Sequence, residues 1–151
     1  MKKFKFSLLS LYKYKQTVEK IQLGELRRAE QALRELLDEK QRIMDAFAEN
    51  ERSLIHALKQ RINIGEALAL HDRYFGFLRD SLEELEPRIK KAEAIRDRCR
   101  EKLILTMREI KTLGKLRDEQ YAAYLKEIQA ESEKEIGDLV SFKTISDAAA
   151  G

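Results

Sequence analysis

The stretch Phe75–Tyr124, FGFLRDSLEELEPRIKKAEAIRDRCREKLILTMREIKTLGKLRDEQYAAY, decides the fold. Taken at alternating steps of three and four, positions 75, 78, 82, 85, 89, 92, 96, 99, 103, 106, 110, 113, 117, 120 and 124 hold Phe, Leu, Leu, Leu, Ile, Ala, Arg, Cys, Leu, Thr, Ile, Leu, Arg, Gln and Tyr. Eleven of these fifteen are apolar in a chain that is 43% hydrophobic, so the enrichment lies in the spacing and not in the composition. A 3,4 repeat aligns side chains along one stripe of a slightly underwound helix, and neither strand nor loop keeps that phase for so long. The stretch is a coiled-coil helix that requires another helix against its stripe.

A second series supplies the partner. Positions 26, 29, 33, 36, 40, 43, 47, 50 and 54 read Leu, Ala, Leu, Leu, Lys, Ile, Phe, Asn and Leu, seven of nine apolar. Upstream, Leu11, Tyr14, Val18 and Ile21 extend the stripe, joined to Leu26 by a five-residue step near Gly24 that implies a local change of phase. Between the two series, Asn63 followed three residues later by Glu66 reads as a helix start, and Gly65 suits a turn. The spacing therefore predicts one domain over residues 1–151, with a first helix at about 5–60, a turn at about 61–66, a second helix at about 67–140 and a frayed tail at 141–151. Two long helices on a short connection pack antiparallel. A reversal near 65 sets Leu54 beside about residue 76 and Leu8 beside about residue 122, leaving the second helix to overhang by roughly 30 Å. Pro87 falls off the stripe and predicts a kink or a fresh helix start. The expected fold class is all-α, an elongated antiparallel two-helix coiled coil, or helical hairpin.

Composition narrows the function. The chain has 151 residues, 30 Lys+Arg against 27 Asp+Glu, one Pro, six Gly, one Cys and no Trp. A lone Cys with two His supplies neither a disulfide framework nor a closed zinc site. No run approaches the ~20 apolar residues of a membrane span. Met1–Tyr14 lacks a small-residue cleavage site and reads as mature sequence, which makes a reducing cytoplasmic setting the default expectation. His56 and His71 stand fifteen residues apart, Cys99 sits on the apolar series, and the glycines are too scattered for a phosphate loop. The expectation is a protein that is not an enzyme, with no cofactor, no metal and no small-molecule substrate.

Several features remain open on the residues alone. Lys40, Asn50, Arg96 and Arg117 occupy stripe positions, where they either set register or mark places open to water or a partner. Arg88–Arg117 carries eleven basic residues against four acidic ones, but no base-stacking aromatics are interleaved, so an acidic protein surface fits better than nucleic acid. Tyr74, Phe75, Phe77 and Leu78 span too much of the helix circumference to enter one seam. They are either a tip cluster with Leu68 and Leu70 or a docking patch for another protein. Lys2, Lys3, Phe4, Lys5 and Phe6 make a second, basic and aromatic candidate.

With these residues in view, the chain resembles the flagellar type III export protein FliJ family. Phe4-Lys5-Phe6-Ser7-Leu8 is similar to its opening Phe-x-Phe-x-Leu pattern, and Lys111–Arg117 with Tyr121, Tyr124 and the Glu-rich stretch beyond is similar to its second-helix segment. It departs from the family at Gly114 and at Ile136-Gly137-Asp138. The resemblance implies a noncatalytic export component, a monomer in isolation, peripheral at the cytoplasmic face of the inner membrane. The implied partners are a hexameric flagellar export ATPase, a membrane export gate protein and export chaperones. Carried over, the ATPase contact would use Lys2, Lys3, Phe4, Lys5, Phe6, Lys115, Arg117, Tyr121 and Tyr124, and the gate contact Tyr74, Phe75, Phe77 and Leu78. A structural coiled-coil scaffold or dimerisation protein, and a basic-helix nucleic-acid binder, are the alternatives.

Overall fold

A computed structural model describes residues 2–150. They form an all-α helical hairpin of two helices packed against each other, α1 (Leu9–Gln60) and α2 (Ile64–Ala150). Helices this long are not held by propensity alone; their stability comes from the apolar stripe each lays against the other. The 26-to-54 series is buried or half-buried at every position, and the 75-to-124 series at all but Phe75 and Arg117.

Contacts divide the chain into two compact units, one made of residues 20–104 and the other of 2–19 with 105–150. The core of the first is Leu33, Leu85 and Ile89, with Leu36, Ile43 and Ala92 packed around them. Each such side chain contributes about 1.5–3 kcal/mol on leaving water. Polar seam residues in this unit bond across the helices. Lys40 Nζ lies 3.0 Å from Glu86 Oε1, and Asn50 Nδ2 donates to the carbonyl of His71 at 3.1 Å. Arg96 instead holds its sequence neighbour Asp97 at 3.0 Å. Because Lys40 and Glu86 are both more than a third exposed, a double-mutant cycle with Lys40→Ala and Glu86→Ala is expected to give a coupling below about 1 kcal/mol. A coupling above about 2 kcal/mol in chemical denaturation would mean that water screens the pair far less than its exposure indicates.

The turn is tighter than expected. It occupies residues 61–63, not 61–66, because Arg61 (φ 56°) and Asn63 (φ 48°) both enter the left-handed region and reverse the chain at once. Asn is among the side chains that tolerate this conformation. The Asn63 carbonyl then accepts the Ala67 amide at 3.0 Å, beginning α2. Gly65, with no positive φ, is an ordinary helical residue. Moving the reversal moves the register, so that Leu54 shares a cleft with Ala67, Leu70 and His71 and does not sit beside residue 76.

Four further expectations change. The inward face of α1 keeps its 3,4 phase upstream of Leu26 through Gln22, Glu19, Lys15 and Tyr12, all half-buried, with no five-residue step. Leu11, Tyr14 and Ile21 are 42%, 61% and 56% exposed. Apolar spacing misled there because helix geometry, once set by the long seam, carries polar residues inward. Helix α2 passes Pro87 without a fresh helix start and continues to Ala150. The stretch expected to fray is thus helical over 141–150, fully exposed, while Gly151 lies outside the described residues. Finally, α1 begins at Leu9 and not near residue 5, because residues 2–6 are drawn out of helix by the aromatic contacts described below.

Candidate functional site

The two groups of residues singled out in the sequence fall in different units. In the unit of residues 2–19 and 105–150, the non-helical Lys2–Phe6 segment lies on α2. The Phe4 ring stands edge-on to Tyr121, with centroids 5.1 Å apart at 73°, and 5.5 Å from Tyr124. The Tyr124 hydroxyl donates to the Lys2 carbonyl at 2.7 Å, and Gln120 Nε2 donates to Ser7 Oγ at 3.1 Å. Edge-to-face aromatic pairs contribute about 0.5–1.5 kcal/mol beyond their buried area, enough to hold a short segment that has no helical bonds of its own. Lys15 and Glu109 form an ion pair further along the same unit.

The geometry separates exposed residues from supporting ones. Phe6 is 7% exposed and packs edge-on against Tyr12 at 6.3 Å, so it anchors the segment from beneath. Phe4, Arg117, Asp118 and Tyr121 line an open cleft, with Tyr121 47% exposed. Lys2, Lys3, Lys5, Lys115 and Arg117 are all exposed. An aromatic centre bordered by cations results, suited to a surface that offers apolar and acidic groups. Arg117, expected at a seam position, is exposed, and its neighbour Leu116 is half-buried in its place between Leu113 and Gln120.

In the unit of residues 20–104, the aromatic run splits by depth. Leu78 is 3% exposed and belongs to the seam. Phe75 packs edge-on against Phe47 at 5.4 Å. Tyr74 and Phe77 stack at 6.2 Å and 15° and are 44% and 63% exposed, a pair presented outward. Leu68 and Leu70 are 42% and 65% exposed and do not close a tip cluster with them.

His71 is the residue that sequence reasoning passed over. Its Nε2 lies 3.1 Å from Glu51 Oε1 on α1, its Nδ1 lies 3.3 Å from Asp72 Oδ1, and its ring stacks on Phe75 at 6.0 Å and 23°. Hydrogen bonding to Asp72 raises its pKa above the ordinary 6.5, with Glu51 adding to the rise and partial burial opposing it. The signal was available: one step back from Phe75 along the 3,4 series is position 71. Among the described residues, no cluster of three or more His, Cys, Asp or Glu is placed to hold a metal ion. No helix is long and apolar enough to cross a membrane.

No curated protein and no solved structure matches the chain significantly. The family model described as "Flagellar FliJ protein" does, over residues 4–147, a span that takes in both Phe4 with its tyrosines and the Tyr74–Leu78 patch. The chain belongs to the FliJ family of flagellar export-related proteins.

Proposed function

We propose that this chain is a noncatalytic coupling component of flagellar type III protein export, engaging the hexameric export ATPase through one aromatic cluster and the membrane export gate through the other. Family membership over residues 4–147 is the observation that carries the reading, since both clusters fall inside it. On the ATPase side, Phe4, Tyr121 and Tyr124 form the apolar centre and Lys2, Lys3, Lys5, Lys115 and Arg117 the cationic border, with Phe6 as their buried support. On the gate side, Tyr74 and Phe77 are the outward pair, with Phe75 packed on Phe47 and Leu78 buried in the seam. Export chaperones are a further class of partner. The chain works as a monomer, peripheral at the cytoplasmic face of the inner membrane.

The two clusters predict separable losses. Added to purified export ATPase, the chain is expected to raise ATP hydrolysis and shift the ATPase towards hexamers. Phe4→Ala combined with Tyr121→Ala should remove most of that stimulation, whereas Tyr74→Ala combined with Phe77→Ala should leave it intact and weaken binding to the gate protein's cytoplasmic portion. A folded chain, helical by circular dichroism, that changes neither hydrolysis nor assembly would overturn the reading.

A further inference from the structure

We infer that His71, held as an imidazolium between Glu51 of α1 and Asp72 of α2, is a proton-dependent clasp that fixes the aromatic patch of its unit, and that losing the proton loosens the patch while the helices stay paired. The inference concerns the chain alone and stands whatever the patch binds.

Each ring nitrogen of His71 faces a carboxylate oxygen, Nε2 at 3.1 Å from Glu51 and Nδ1 at 3.3 Å from Asp72. A carboxylate only accepts, so both contacts are hydrogen bonds only when both nitrogens carry protons; the neutral ring has one N–H for two carboxylates and turns a lone pair to the other. These are the charged groups that face the ring from the two helices packed there. The nearby cation Arg52 is held by Glu49 at 2.9 Å, and His56 bonds Gln60 at 3.3 Å. The His71 side chain is 13% exposed, whereas Glu51 and Asp72 are 59% and 80% exposed. Water therefore reaches the carboxylates and offers them an alternative once the proton has gone.

Position gives the clasp its consequence. The ring stacks on Phe75, which packs on Phe47, while Tyr74 and Phe77 flank Phe75 on α2. Fixing the imidazole across the helices thus fixes the ring of Phe75, itself a member of the patch at 42% exposure. The bond from Asn50 to the His71 carbonyl involves no titrating group and keeps the backbones joined at any protonation state. Only side-chain order is switched. The sign follows from linkage: a histidine whose folded pKa lies above its unfolded value of 6.5 stabilises fully below that pH, and the contribution disappears as pH rises through the folded value.

The test is an NMR titration of the full chain. His71 is expected to titrate above the ordinary 6.5, and Glu51→Gln to bring its midpoint down towards that value. The Phe75 ring resonances should shift and broaden with the His71 midpoint, and the contact between the Phe75 and Phe47 rings should weaken several-fold above it, with the exchange of amides 74–78 unchanged. His71→Gln should abolish both pH dependences with unchanged helix content. His71 titrating at or below 6.5, or a Phe75 pH dependence that survives in His71→Gln, would overturn the inference. Asp72→Asn, on an exposed helix position, provides a second variant that lowers the midpoint without touching the cross-helix contact.

Discussion

Leu85→Ala is expected to lower the unfolding free energy by about 3–5 kcal/mol, the upper part of the range for deleting a buried leucine. Leu85 is 2% exposed and sits with Leu33 and Ile89 at the centre of the core cluster. A two-helix hairpin has no third layer to collapse into the space left behind, so both the transfer loss and most of the cavity loss are felt. Against a typical total of about 5–15 kcal/mol, that fraction should displace the urea midpoint visibly in far-ultraviolet circular dichroism. Leu125→Ala is the matched control. At 47% exposure the same chemical change should stay within about 0.5 kcal/mol. Similar costs at the two positions would mean that helix propensity, and not the seam, holds the molecule together.

Pro87→Ala is expected to act in the opposite direction and to stabilise by about 2 kcal/mol. Pro87 lies inside α2 and exposed. It lacks the amide that would complete an i→i−4 bond, and proline in a helix interior costs about 3 kcal/mol relative to alanine. Part of that is returned because proline restricts the unfolded chain, an effect of about 0.4–1 kcal/mol. Equilibrium denaturation of the variant should show a raised midpoint with an unchanged slope. A lowered midpoint would show that the ring makes packing contacts worth more than the missing bond.

How far the molecule could be read in advance depends on which force set each feature. The long 3,4 series was legible because every third or fourth side chain must meet the same partner surface, and this requirement leaves its mark on residue type at Leu78, Leu85, Ile89 and Leu113 alike. The upstream stripe was misread for the converse reason. Leu11, Tyr14 and Ile21 look like a seam in isolation, yet a helix cannot turn independently of its own continuation, and the long seam carried Lys15, Glu19 and Gln22 inward. Glycine attracted the predicted turn to Gly65, whereas the backbone reversal is made by Arg61 and Asn63; Asn tolerates the left-handed conformation, but nothing in the sequence marks Arg61 for it.

For the candidate sites, the sequence by itself identified which side chains were anomalous: Tyr74, Phe75, Phe77 and Leu78, too bulky for a single stripe, and the basic, aromatic Lys2–Phe6 segment. Only the tertiary structure sorted them by depth, placing Phe6 and Leu78 beneath the surface and Phe77 on it, and only it introduced Phe47, Asn50, Glu51 and His71 as their companions. The physical reason is one of range. Periodicity along a helix records what that helix must bury, and local spacing suffices to reveal it. Which residue of one helix meets which residue of the other depends on where the chain reverses, and a shift of a few residues at the turn is carried along the whole length of the pair.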